Sequence, residues 1–128
     1  MSEKIRVFLI DDDTDFIQAN SVFLDSAGFE VLTATSRAEA LDKIEEERID
    51  VIVIDLYMGN SDEGFYVVRK IRAGIHSEVP VIMLSSIREN TGCTFKPEEH
   101  PDYFPVERYL EKPVSPSALV KSIREVLK

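Results

Sequence analysis

Residues 4–10 read Lys-Ile-Arg-Val-Phe-Leu-Ile and stop at three consecutive aspartates, Asp11, Asp12 and Asp13. β-Branched and aromatic side chains suit a pleated, buried strand, and adjacent carboxylates cannot continue one, so a strand must end there and present its acids at its C-terminal tip. Residues 51–54, Val-Ile-Val-Ile, repeat the pattern and end in Asp55. An unbroken apolar run of this length is expected of a strand covered on both faces, as in a parallel sheet. If the two strands run parallel, their acids meet at one edge.

The intervening segments supply the covering helices. Phe16, Ala19, Asn20, Phe23 and Ala27 recur at helical spacing, with Gly28 where a helix end favours a left-handed residue. A short strand is predicted at 29–33, and Ser36 with Glu39 forms a capping box ahead of Ala40, Leu41 and Ile44. After a polar loop over 59–64, Phe65, Val67, Val68 and Ile71 give a third stripe, and 79–84 is a fourth strand ending at Ser85 and Ser86. Residues 108–111 are a fifth strand, and Ser115 with Pro116 caps a final helix through Leu119, Ile123 and Val126. Gly92, Pro97, Pro101 and Pro105 argue against a full amphipathic fourth helix over 87–106. Alternating strands and helices imply a doubly wound α/β domain with a five-stranded parallel sheet and right-handed crossovers. Ligands of such sheets bind outside the carboxyl ends of the strands, where Asp11, Asp12, Asp55, Ser85 and Lys112 would converge.

With 128 residues and 44% apolar composition, one domain spanning 1–128 is expected. Its 24 acidic and 15 basic residues give a net charge of −9, which argues against direct contact with nucleic acid or an anionic membrane. No apolar run approaches a membrane span and no secretory leader opens the chain, so a cytoplasmic location is expected. The single Cys93 has no partner for a disulfide or metal site, and His76 and His100 lie away from the acidic edge.

Carboxylates gathered at one edge repel unless they share a proton or a cation. All-oxygen ligation with room for water and phosphate suits Mg²⁺, with Asp12 and Asp55 as direct ligands, the backbone carbonyl of Tyr57 available as a third, and Asp11 binding through water. Asp55 can then act as a carboxylate nucleophile toward a phosphoryl donor, giving an acyl phosphate. Ser85 can donate to one phosphoryl oxygen, and the Lys112 ammonium can pair with another. Asp13 is better placed to cap the helix that follows, and Asp62 and Glu63 read as solvated loop residues.

Four blocks, Ile10-Asp11-Asp12, residues 54–58 (Ile-Asp-Leu-Tyr-Met), residues 80–86 (Pro-Val-Ile-Met-Leu-Ser-Ser) and residues 109–113 (Tyr-Leu-Glu-Lys-Pro), resemble in order the receiver domain of bacterial two-component response regulators, as in the single-domain chemotaxis regulator. The resemblance covers essentially the whole chain. It implies a flavodoxin-like (βα)5 fold of strand order 2-1-3-4-5, and phosphorylation of Asp55 by a phosphohistidine on a sensor histidine kinase or phosphotransfer protein. It also implies a switch pair, Ser85 and Tyr109, a cis bond between Lys112 and Pro113, and a downstream protein target that reads the switched surface. Such a domain is expected to be an autocatalytic phosphoacceptor, not a turnover enzyme.

The chain departs from the family pattern at Gly59, where proline is usual, at Gly64, which arrives one residue late, and over 87–106, which is longer than usual. There Tyr103, Phe104 and Pro105 suit an aromatic loop that partners read. Tyr57 and Ile87 border the path of a hydrolytic water in the family, and their bulk is expected to slow hydrolysis. An alternative is an unswitched interaction module that keeps only the fold. A flavodoxin-like cofactor carrier would need a glycine- and hydroxyl-rich loop where Asp11–Asp13 stand, and an aspartyl phosphatase would need a second acid after Asp55.

Overall fold

A computed structural model of the chain describes residues 4–45, 47–55, 63–74, 78–86, 107–112 and 114–127, with backbone alone at 63–65, 85 and 86. The elements run β1 (Arg6–Ile10), α1 (Thr14–Ser26), β2 (Glu30–Ala34), α2 (Arg37–Ile44), β3 (Val51–Asp55), α3 (Glu63–Arg72), β4 (Val81–Ser86), β5 (Arg108–Lys112) and α4 (Pro116–Val126). The five strands form one parallel sheet in the order β2-β1-β3-β4-β5. Residues 87–106, expected to lack a regular fourth helix, and the Lys112–Pro113 bond lie outside the described residues.

Alternation along each strand splits the core in two, because successive side chains point to opposite faces. Phe8, Ile10, Ile52, Ile54, Val81 and Met83 pack with Ala40 and Ile44 of α2 and Val67, Val68 and Ile71 of α3. Val7, Leu9, Val51, Val53, Ile82 and Leu84 pack on the other face with Ile17 and Leu24 of α1 and Leu119, Val120 and Ile123 of α4. The central strands are thus apolar over residues 7–10, 51–54 and 81–84, because both faces are covered there.

The helix ends follow their local chemistry. Asp13 Oδ1 accepts hydrogen bonds from the Asp15 and Phe16 amides at 3.1 and 3.2 Å, capping α1 as expected. At the other end Gly28 takes φ of 100°, and the amides of Gly28 and Phe29 donate to the carbonyls of Asp25 and Leu24, both at 3.1 Å. This double closure satisfies two terminal carbonyls and sends Phe29 back onto Leu24. Ser36 caps α2 by accepting from the Glu39 amide, while the Glu39 carboxylate reaches the Thr35 amide, one residue before the cap. That hydrogen bond, with Lys43 assisting, holds Glu39 below the usual carboxylate range.

Three sequence expectations are corrected. Of the predicted α1 stripe, Asn20 is buried and Phe16 and Ala27 pack partly buried against the core, but Ala19 and Phe23 are exposed and Ile17 and Leu24 take the remaining buried positions. β4 begins at Val81 rather than Val79, because the Val79 carbonyl is taken by the Arg72 guanidinium at 2.7 Å and Pro80 has no N–H to give a ladder. α3 starts at Glu63, so Glu63 and Gly64 belong to a helix rather than to the preceding loop.

Candidate functional site

In this strand order β1 and β3 are neighbours whose connections leave in opposite directions, which opens a crevice at their C-terminal ends. Ile10 is in register with Ile54, so Asp11 and Asp55 emerge side by side. Asp11 is fully buried and Asp55 nearly so, while Asp12 is exposed. Carboxylate oxygens of the three lie within 4.8 Å of one another.

Lys112, the last residue of β5, reaches into this cluster. Its Nζ donates to Asp11 Oδ2 at 2.7 Å and lies 3.8 Å from Asp55 Oδ2. Asp11 Oδ1 accepts from the Asp13 amide at 2.9 Å, so both oxygens of the buried acid are held. Among the described residues Asp11 and Asp55, both buried, share the Lys112 ammonium beside the exposed Asp12, and carboxylates gathered this closely favour a further cation. The donor set is entirely oxygen. Opposed ligands of Mg²⁺ stand roughly 4.2 Å apart, so the observed spread closes on such an ion with small side-chain movements and water in the remaining positions. The acids therefore fit the group that their chemistry implies.

Burial pushes the Asp11 carboxyl above its ordinary value; Lys112 and the Asp13 amide pull the other way, and the Asp12 charge adds to the rise. A raised native pKa means that the folded chain binds more protons than the unfolded one over that interval, so this group's contribution to stability is present at acid pH and lost as pH rises. Asp11→Asn is expected to remove that part of the profile. Urea unfolding in EDTA between about pH 4 and neutrality checks it, and an unchanged profile would refute the assignment.

Of the other residues read from sequence, the Ser85 backbone lies at the C-terminal end of β4 in register with Glu111. Its side chain, like the whole of Tyr57, lies outside the described residues. Tyr109 is half-buried on β5 beside Met83, packed against the core shared with α2 and α3. One site neighbour was not anticipated: the Phe16 ring, whose centroid is 4.5 Å from Lys112 Nζ. No local signal joins two residues so distant in the chain.

Comparison with known proteins agrees with this geometry. Residues 7–124 match the family model of the response regulator receiver domain. The probable transcriptional regulator ycf27 of Guillardia theta is 30% identical over all of this chain and 47% of its own length. The transcriptional regulatory protein PrrA of Mycobacterium tuberculosis is 43% identical over 63% of this chain and 34% of its own. The chain thus spans between a third and a half of these relatives. Among solved structures, the chemotaxis response regulator CheY4 of Vibrio cholerae superimposes with a TM-score of 0.81 at 30% identity, covering 98% of this chain and 100% of that one. A CheY-like receiver domain protein of Methanospirillum hungatei shares the fold with a TM-score of 0.82 at 24% identity, covering 98% and 94%. With the sheet order, the acid cluster and these likenesses in hand, the chain belongs to the receiver-domain family of two-component response regulators.

Proposed function

We propose that residues 1–128 act as one receiver domain in which Asp55 accepts a phosphoryl group from a phosphohistidine on a sensor histidine kinase or phosphotransfer protein. The observation that carries this reading is the Lys112 ammonium, 2.7 Å from Asp11 and 3.8 Å from Asp55, poised at a cluster of acids. A carboxylate oxygen of Asp55 forms the new P–O bond as the donor P–N bond breaks, and the electron pair leaves with the imidazole, which takes up a proton. Asp12 and Asp55 would hold Mg²⁺ directly, with the Tyr57 carbonyl as third ligand and Asp11 through water; when bound, the ion offsets charge on the phosphoryl oxygens. Lys112 pairs with one phosphoryl oxygen and the Ser85 hydroxyl donates to another. Movement of Ser85 toward the phosphoryl group, with inward rotation of Tyr109, then alters a surface read by a downstream protein.

The domain is a phosphoacceptor that releases its phosphoryl group slowly, not a turnover enzyme. Relatives are named as transcriptional regulators, but the net charge of −9 argues against these residues touching DNA themselves. Among the described residues no helix is long and apolar enough to cross a membrane, and we place the domain's work in the cytoplasm. Incubation with Mg²⁺ and acetyl phosphate, followed by intact mass, is expected to show one phosphoryl adduct that is absent in Asp55→Ala. No adduct, or one that survives the substitution, refutes the reading. Following the purified adduct over time tests the slow release; rapid loss unaffected by Tyr57→Asn would overturn it.

A further inference from the structure

Lys112 is held by more than its carboxylates. We propose that Phe16 is a positioning residue for the Lys112 ammonium, an inference that rests on the phosphoacceptor reading above. Lys112 Nζ sits 4.5 Å from the Phe16 ring centroid, 2.7 Å from Asp11 Oδ2 and 3.8 Å from Asp55 Oδ2. Only 15% of the lysine side chain meets solvent. A long, flexible side chain ordinarily keeps its ammonium in water. Here the π face attracts the cation while accepting none of the hydrogen bonds that water would, so the ammonium is biased toward the two acids and toward a phosphoryl group arriving on Asp55.

The ring is itself fixed from two sides. Asp13 Oδ1 accepts from the Phe16 amide at 3.2 Å, which sets the first turn of α1, and the ring packs against the core shared by α1 and α4. The residue directly after the acid cluster thus places the third helical residue over a lysine carried by the last strand. An aliphatic side chain would keep the apolar packing but lack the ring's quadrupole, and that difference separates positioning from filling space.

Phe16→Leu is expected to slow phosphoryl transfer from acetyl phosphate, with Mg²⁺ saturating, roughly five- to thirty-fold, while Phe16→Tyr stays within about twofold of the parent. Independently of metal and phosphate, NMR relaxation at the Lys112 ε-position should report an ordered side chain in the parent and Phe16→Tyr and a mobile one in Phe16→Leu. Thermal melting verifies that each variant is folded, and Phe16→Met replaces Phe16→Leu if the latter is not. Equal behaviour of the leucine and tyrosine variants overturns the proposal, as does an unchanged rate in Phe16→Leu whatever the lysine mobility. If the parent protein takes no phosphate, the phosphoacceptor reading fails, and the relaxation comparison alone decides the role of Phe16.

Discussion

Lys112→Met is expected to cost the native state about 3 kcal/mol, the lower end for removing one partner of a buried ion pair because part of the lysine still meets water. The same change should slow phosphoryl transfer to Asp55 roughly a hundredfold, by loss of a fixed charge at the transferred group. Both effects have one origin. Without Lys112, the fully buried Asp11 would keep the Asp13 amide as its only donor among the described hydrogen bonds, beside Asp12 and Asp55. Its native pKa, already raised by burial, would rise further, so the loss of stability should grow as pH rises from the acid range. Because binding to the native state alone is stabilising, millimolar Mg²⁺ should recover part of the loss. The double variant Asp11→Asn/Lys112→Met should regain part of the stability, because the fully buried Asp11 charge is gone while that of Asp55 remains, but should not regain transfer. Urea unfolding with and without EDTA, beside adduct formation by mass, tests all of this. If the double variant is no more stable than Lys112→Met, the ion pair is not the source of the loss.

Residues differed in how openly the sequence announced them, and the differences are physical. The acids at strand ends were legible because a buried strand cannot run through consecutive aspartates, so Asp11, Asp12 and Asp55 marked both the ends of β1 and β3 and the edge they share. The Asp13 cap and the Gly28 turn were legible because both depend on chemistry within a few residues. The phase of α1 was not. Phe16, Ile17, Ala19, Val22, Phe23, Leu24 and Ala27 offer more than one apolar stripe at helical spacing. Only the sheet beneath decided for Ile17 and Leu24, leaving Phe23 exposed at the groove with α4. The Phe16 ring over Lys112 was beyond reach for a related reason: a cation and a ring on separate elements meet through tertiary packing, not sequence spacing.

Phe8→Ala should be the most damaging single truncation for stability while leaving phosphoryl chemistry intact. Phe8 is fully buried in the middle of β1, in register with Leu32 on one side and Ile52 on the other, and packs in the core beneath α2 and α3. Truncation there removes a large apolar side chain from a site framed by two strands that cannot close over the gap, and is expected to cost about 3–5 kcal/mol. That is a large share of the roughly 5–15 kcal/mol available to a domain, and corresponds to a fall in Tm on the order of 10–20 °C. The cavity opens on the sheet face away from α1, whereas Phe16 and Lys112 meet on the α1 side. At a temperature where the variant remains folded, transfer per folded molecule should therefore match the parent. Leu9→Ala supplies the contrast: it opens a cavity in the core shared by α1 and α4, against which Phe16 packs, two residues before Asp11. It should cost about 2–5 kcal/mol and also slow transfer. Circular dichroism melts with adduct formation below the melting range decide between the two sheet faces. Equal transfer in both variants would mean that the α1 face does not hold the site in register.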